Sequence, residues 1–333
     1  MSITILAIES SCDDTSAAVI RDGKVLSNCI ANQEVHHQYG GVVPELASRA
    51  HQVNIIPIVD AALRQSGVSK GELKAVAFTR GPGLMGSLIV GVSFAKALAL
   101  SLEIPLIEVH HMQAHVLAHF AEHPHPAFPF LCLTVSGGHT QIMKITAPLE
   151  MEVLGHTIDD AAGEAFDKTG KILGLDYPAG PIIDRYAQEG KAVYDFPEPQ
   201  IPDLNFSFSG LKTSILYFLR DQLKENPNFI KDNMADICAS VQTRIVSILM
   251  NKLQLAAEQT GIKEVAIAGG VSANSALRKA LTEKGKELGW NTYIPQFEYC
   301  TDNAAMIGVT AYFKYQAGAF SSQEISPKAR WGL

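Results

Sequence analysis

The sequence predicts an α/β protein of two lobes, each built on a largely parallel, two-sided sheet. Short apolar runs of strand length alternate with longer segments of helical period. The second half reopens with the strand, polar glycine turn and strand of the first, as a duplicated unit would. The 333 residues, 47% of them hydrophobic, exceed the usual length of one domain.

Residues 3–8 are an apolar run of strand length. The turn-prone SSCDDTS and a second run at 17–20 follow, and Asp22-Gly23 makes a hairpin turn into Val25 and Leu26. A helix is expected after Pro44, with Leu46, Val53, Ile56, Val59, Ala62 and Leu63 near helical spacing until Gly67 stops it. Residues 75–78 read as a buried strand. RGPGLMGS is a glycine-rich turn into a helix over 88–102, followed by a strand at 106–109 and a histidine-rich helix from His110. Three prolines within residues 123–129 break any helix, which places a lobe boundary there. Strands at 131–135 and 141–145 then flank SGGHT. Near the end, a strand over 265–268, the Gly269-Gly270 turn and a helix over 274–289 have the form of a phosphate- or nucleotide-contacting unit.

The formal net charge of −7 argues against unaided RNA binding, since a polyanion would need a local basic patch or a basic partner. Lys328, Arg330 and Trp331 make a modest patch of that kind. Cys12, Cys29, Cys132, Cys238 and Cys300 show no CxxC pair and no disulfide framework, which suits a reducing, cytoplasmic setting. The first residues lack a basic region and reach Glu9 after a short apolar stretch, unlike a signal peptide. Residues 83–102 are the most membrane-like, but Lys96 and interspersed glycines and serines favour a core helix, so no membrane association is expected.

The sharpest local signal is HHMQAHVLAHF. His111 and His115, four apart, share a helix face and can take neighbouring positions on one metal ion. Met112 stands where an HExxH protease has its glutamate, so proteolysis is poorly supported. His119 lies roughly 12 Å along the axis from His111, too far to share an ion with it. Asp302 could supply an oxygen ligand, although N-capping the apolar helix after it is the stronger reading from the residue alone. SGGHT lets backbone N–H groups approach an anion, or is an ordinary hairpin. Asp159, Asp160, Glu164, Asp167, Lys168, Lys171 and Asp184 form either a ligand wall or a salt-bridged helix face. FSFSGLKTS is either a capped helix start or a substrate loop.

Together, IESSCDDTS, QYGGVVPELASRAH, GPGLMGSL, HHMQAH, VSGGHT, IDDAAGEAFDKTGKILGLDYPAGP, FSFSGLKT, AGGVSAN and CTDNAAM resemble the bacterial tRNA N6-adenosine threonylcarbamoyltransferase (TsaD) family. The resemblance implies the two-lobed sugar kinase, heat-shock protein and actin fold, RNase H-like in each lobe, with a nucleotide cleft between lobes. It implies an N-terminal lobe of residues 1–125 plus 300–325, a C-terminal lobe of 126–299 and a tail of 326–333. The implied metal ligands are His111, His115 and Asp302, holding one divalent ion per subunit, Fe2+ first and Zn2+ second. The implied substrate contacts are Thr134, Val135, Ser136, Gly137, Gly138, Asp167, Gly180, Asp184 and Asn274. The implied reaction moves threonylcarbamoyl from threonylcarbamoyl-AMP to the N6 amine of the adenosine 3′ to the tRNA anticodon. An inactive paralogue of TsaB type and a small ATPase of TsaE type are the implied partners. The family often has glutamate where this chain has Asp14. No general base is named by the sequence, with Asp13, Asp14 and His139 as candidates. A kinase-like ATPase of the same superfamily, a metallopeptidase and an inactive scaffold are the alternatives.

Overall fold

The computed structural model describes residues 2–31, 36 and 39–333. Gln38, the first residue of QYGGVVPELASRAH, lies outside them. Two units emerge, one from Met1–His125, Thr146–Met151 and Pro295–Leu333, the other from Pro126–Ile145 and Glu152–Ile294.

In the first unit, β1 (Thr4–Glu9), β2 (Thr15–Arg21) and β3 (Lys24–Ala31) form an antiparallel meander. Asp22 and Gly23 turn β2 into β3 with φ of 52° and 80°, both left-handed, as a two-residue hairpin matched to strand twist requires. Helix α1 (Pro44–Ser66) ends at Gly67 in the left-handed region and leads to β4 (Ala75–Gly81), parallel to β1. Helix α2 (Met85–Ser101) leads to β5 (Leu106–His110), parallel to β4, and α3 (His111–Leu117) follows directly. The sheet order is β3-β2-β1-β4-β5. Strand alternation divides the core. Ile5, Ala7, Ala18, Ile20, Ala75, Ala77, Ile107 and Val109 cluster with Ala304, Ile307 and Ala311 of a C-terminal helix. Leu6, Ile8, Val19, Val76 and Phe78 cluster with Ile55 and Val59 of α1 and Val92 and Ala95 of α2.

In the second unit, β6 (Phe130–Val135) pairs antiparallel with β7 (Thr140–Ala147), which is followed by β8 (Glu150–His156). Four principal helices, α4 (Ala162–Leu173), α5 (Ala179–Ala187), α6 (Ser209–Glu225) and, after the short α7 (Phe229–Asp232), α8 (Met234–Thr260), supply the core with Phe166, Ile183, Leu211 and Ile245. Strand β9 (Glu264–Ala268) joins β6 in parallel, and α9 (Ser275–Leu288) carries the chain to β10 (Asn291–Tyr293). Read from β8, the order is β8-β7-β6-β9-β10, the connectivity of the first sheet repeated. Helix α10 (Ala304–Gln316) returns to the first unit, and the last residues lie beside β4 and β5 through Ser321 N–H to Leu106 O at 2.8 Å and Lys328 N–H to Arg80 O at 2.8 Å.

Two expectations need correction. The sheets are mixed, because each opens with antiparallel neighbours joined by tight turns and only later strands arrive by helical crossovers. The buried face of α1 is Ala47, His51, Ile55, Val59, Ala62 and Leu63, whereas Val53 and Ile56 are 71% and 66% exposed. A continuous four-residue ladder from Ala47 to Val59 faces the sheet, and apolar spacing through Val53 and Ile56 follows a different face. Among the described residues no helix is long and apolar enough to cross a membrane, and α2 packs into the core.

Candidate functional site

Strand β5 ends at His110, whose imidazole accepts the Met112 N–H at 3.1 Å and so caps α3. That cap fixes the first turn, and His111 and His115 come onto one face. Their rings meet edge to face with centroids 4.7 Å apart. Asp302 reaches both, with its Oδ1 3.4 Å from His111 Nε2 and 3.1 Å from His115 Nε2. One ligand atom from each of the three lies within 4.8 Å of the others. Two imidazole nitrogens and a carboxylate oxygen converging in this way suit a divalent transition metal. His119 has no place in this group.

Asp302 does not cap α10. Asn303 does, its side chain accepting the Met306 N–H at 2.9 Å, which leaves the neighbouring carboxylate free to face the histidines. Burial on its own would raise the Asp302 carboxyl, but the His111 and His115 imidazoles outweigh it and hold the group far below the usual carboxylate range. His111 answers in the opposite sense: burial disfavours its charged form, yet Asp302 and Glu9 raise its proton affinity well above the ordinary value.

Behind His111 lies the β1–β2 connection. Glu9 is fully buried with its Oε2 3.2 Å from His111 Nδ1, and it accepts the Ser11 N–H at 2.5 Å and the Thr79 hydroxyl. His51 of α1 steadies the same connection, with Nδ1 2.7 Å from the Thr15 hydroxyl and Nε2 3.0 Å from Cys12 O. Burial lowers the His51 proton affinity. Burial, helped by Asp13, Asp302 and Glu9, pushes the Asp14 carboxyl up to about 7.

In the second unit, Thr134 and Val135 are fully buried in β6, and Gly137 and Gly138 are exposed in the turn beyond it. Ser136 N–H donates to His139 O at 2.8 Å, and Ser136 O accepts Gly163 N–H at 3.2 Å from the start of α4. Asp167 on α4 accepts the Ala179 N–H at 2.8 Å, and also that of Gly180, at the start of α5. Burial raises its carboxyl, and those bonds only partly oppose the rise. Asp184 on α5 accepts from the Ser275 N–H at 3.0 Å and the Ser275 hydroxyl at 2.6 Å. Asn274 caps α9 through Leu277 N–H at 3.0 Å. Gln242 of α8, 4% exposed, ties these two together by donating to Asp184 Oδ1 at 3.1 Å and accepting from Asn274 Nδ2 at 2.6 Å.

The charged segment is in part a salt-bridged face, because Lys168 pairs with Asp160 at 2.6 Å and Glu164 at 2.9 Å. Asp159 has another task. It accepts from the Ser207 hydroxyl at 2.5 Å, Phe208 N–H at 2.8 Å, Ser209 N–H at 3.3 Å and the Ser209 hydroxyl at 2.7 Å, so FSFSG is a helix start capped from a distance. Burial would raise this carboxyl, and the four bonds together lower it. Sequence reasoning missed Glu9, His51 and Gln242. Apart from the Ser11 N–H that Glu9 holds, their partners lie at least 32 residues away, so no local pattern marks their roles.

Residues 24–309 match the family described as tRNA N6-adenosine threonylcarbamoyltransferase, TsaD. A protein of that name from Christiangramia forsetii is 58% identical over 333 residues, covering 99% of this chain and 98% of its own. Another of that name from Phocaeicola vulgatus is 61% identical over 321 residues, covering 95% of each. Among solved structures, T. kodakarensis HypF aligns with TM-score 0.62 at 15% identity, over 95% of this chain and 48% of its own. The Acidaminococcus fermentans (R)-2-hydroxyglutaryl-CoA dehydratase component A aligns with TM-score 0.53 at 15% identity, over 94% of this chain and 99% of its own. At such identities these two likenesses speak for the fold alone, which is of the sugar kinase, heat-shock protein and actin type.

Proposed function

The chain belongs to the tRNA N6-adenosine threonylcarbamoyltransferase family, and we propose that it transfers threonylcarbamoyl from threonylcarbamoyl-AMP to the N6 amine of the adenosine 3′ to the anticodon. The observation that carries this reading is identity of 58% and 61% to relatives of that name across nearly the whole chain. The new bond joins N6 to the carbamoyl carbon, the bond from that carbon to the phosphate oxygen breaks, AMP departs and the amine loses a proton. That amine is a weak nucleophile, its lone pair being delocalised into the ring, so the rate must come from donor activation and alignment.

His111, His115 and Asp302 are the residues that would hold a divalent ion; iron and zinc both fit this donor set, and the family resemblance puts iron first. Such an ion supplies Lewis-acid polarisation of donor oxygens. Of the Ser136, Gly137 and Gly138 turn, the exposed Gly137 and Gly138 are proposed to offer backbone N–H groups to the donor's developing negative charge, the Ser136 N–H being held by His139 O. Thr134 and Val135 set the height of that turn from within β6. Asp167 with Gly180, and Asp184 with Asn274, are proposed as further donor contacts, their bonding making both pairs rigid. Asp13, Asp14 and His139 are candidates to take the amine proton, and Asp14 is the one whose carboxyl has risen to about 7.

The net charge of −7 supports partners that contribute basic surface, and the family resemblance implies that these are an inactive paralogue of TsaB type and a small ATPase of TsaE type. Exposed Val53 and Ile56 on α1 and Met85 and Ile89 on α2 offer such a subunit an apolar face. The reaction belongs in the cytoplasm, where tRNA is modified. The test is transfer of labelled threonylcarbamoyl from the adenylate to unmodified tRNA with partners present, comparing wild type with His111→Ala. Label on tRNA with wild type and its loss in the variant support the reading. No transfer by a folded, partnered wild type refutes it.

A further inference from the structure

The two histidines of the candidate metal site are held differently. Each turns Nε2 toward Asp302 Oδ1, yet their Nδ1 atoms have opposite surroundings. His115 Nδ1 is buried with no hydrogen-bond partner among the described residues. His111 Nδ1 lies 3.2 Å from Glu9 Oε2 and 3.2 Å from the Ser11 hydroxyl. A hydroxyl can donate or accept and so does not choose between tautomers, whereas an ionised carboxylate only accepts.

Glu9 is built to stay an acceptor. It is fully buried at the end of β1, Oε1 takes the Ser11 N–H at 2.5 Å, and Oε2 takes the Thr79 hydroxyl as well as facing His111. Two donors and the His111 Nδ1 atom therefore converge on one carboxylate held by adjacent, parallel strands β1 and β4. We propose that Glu9 is a positioning residue that accepts the Nδ1–H of His111 and thereby turns that ring's Nε2 lone pair toward a divalent cation shared with His115 and Asp302. The inference rests on the metal reading of those three residues and does not depend on which substrate the protein serves. It makes His111 the anchored ligand and leaves His115 the adaptable one. It also gives the buried glutamate a task in a strand that is otherwise apolar apart from Thr4.

The full-length protein is titrated with Zn2+ against a chromophoric chelator at fixed pH, as wild type, Glu9→Gln and Thr79→Val, with circular dichroism as the check on folding. Loss of the carboxylate is expected to weaken Zn2+ binding about 10- to 100-fold, the usual effect of removing such a partner. Thr79→Val should weaken it in the same direction by less. Should Glu9→Gln fail to fold, imidazole 15N shifts of the Zn2+-loaded wild type decide the matter alone. A metal-bound Nε2 and a proton-bearing Nδ1 at His111 support the inference, and Nδ1 on the metal overturns it. Zn2+ affinity unchanged within twofold in a folded Glu9→Gln protein also overturns it. A wild type that binds no Zn2+ overturns the metal premise, and the inference with it, while transfer activity tests the proposed function separately.

Discussion

Replacing Gln242 by leucine tests whether Asp184 and Asn274 form one working unit. The side chain is 4% exposed and makes two bonds, to Asp184 Oδ1 at 3.1 Å and from Asn274 Nδ2 at 2.6 Å. The first is charge-assisted, about 1.5–3 kcal/mol, and the second neutral, about 0.5–1.5 kcal/mol. Asp184 keeps both donors from Ser275, so its loss falls toward the low end of that range. Asn274 is 8% exposed and its amide is left as a buried donor, which costs about 1–3 kcal/mol. Leucine recovers part of this by apolar burial, so a net loss of about 2 kcal/mol is expected, concentrated in the second unit. Hydrogen exchange at the start of α9 should accelerate, and denaturation should come earlier. If the pair contacts the acyl donor, its loosening raises KM for threonylcarbamoyl-AMP about tenfold, the equivalent of about 1.4 kcal/mol. Unchanged stability refutes the hub. A destabilised protein with an unchanged donor KM refutes the substrate role and leaves the hub standing.

Other substitutions separate binding from folding. Asp302→Ala should abolish stoichiometric Zn2+ binding, measured by equilibrium dialysis, while Asn303→Ala should retain it and lose about 1 kcal/mol from the α10 cap, read as a lower Tm. Asp159→Asn should cost about 1 kcal/mol near neutral pH, a figure kept small because the carboxylate is partly exposed and screened. The Asp159 carboxyl lies below its unfolded value of about 3.9, so its stabilisation is full above that pH and lost as pH falls through the lower folded value. Acid titration of wild type and variant, followed by exchange at Phe208 and Ser209, should therefore converge at low pH.

Most strands were legible because their apolar runs are short and bounded by Gly, Asp and Ser, whereas the largely polar β8 and the three-residue β10 carry no such run and were not foreseen, and the repeated opening revealed the duplication before the matching sheet orders did. Strand direction was less legible. Alternation with helices suggested parallel pairing, but Asp22-Gly23 and SGGHT each turn the chain straight back on itself. His111 and His115 could be read from helical spacing alone. Asp302 could not, since an aspartate before an apolar helix has a commoner explanation, and only the structure shows Asn303 taking that role. Glu9 lies in a strand whose residues are all buried, where the sequence offers no way to tell a buried, hydrogen-bonded carboxylate from the end of an apolar run.

Each unit uses its first strand connection to hold a helix start, although the helices do not correspond in the repeat, α2 lying between β4 and β5 and α4 following β8. In the first unit the β1–β2 connection presents Ser11 O to the start of α2, taking the Leu84 N–H at 2.7 Å. In the second, the β6–β7 turn presents Ser136 O to the start of α4, taking the Gly163 N–H at 3.2 Å. Both approaches need glycine. A Cβ on Gly83 would lie 2.4 Å from Ser11 O, and one on Gly163 would lie 2.6 Å from Ser136 O, contacts with backbone that no side-chain rotation relieves. Gly83→Ala and Gly163→Ala should thus each push a helix start off its connection, at a cost of about 1–3 kcal/mol as overpacking usually imposes. The consequences should differ by unit. Gly83→Ala displaces Ser11, whose N–H holds Glu9, so Zn2+ affinity should fall. Gly163→Ala displaces Ser136 and its glycines, so donor KM should rise with Zn2+ affinity intact. If each substitution disturbed both properties equally, the two connections would not be serving separate tasks, and the division of chemistry between the units would have to be abandoned.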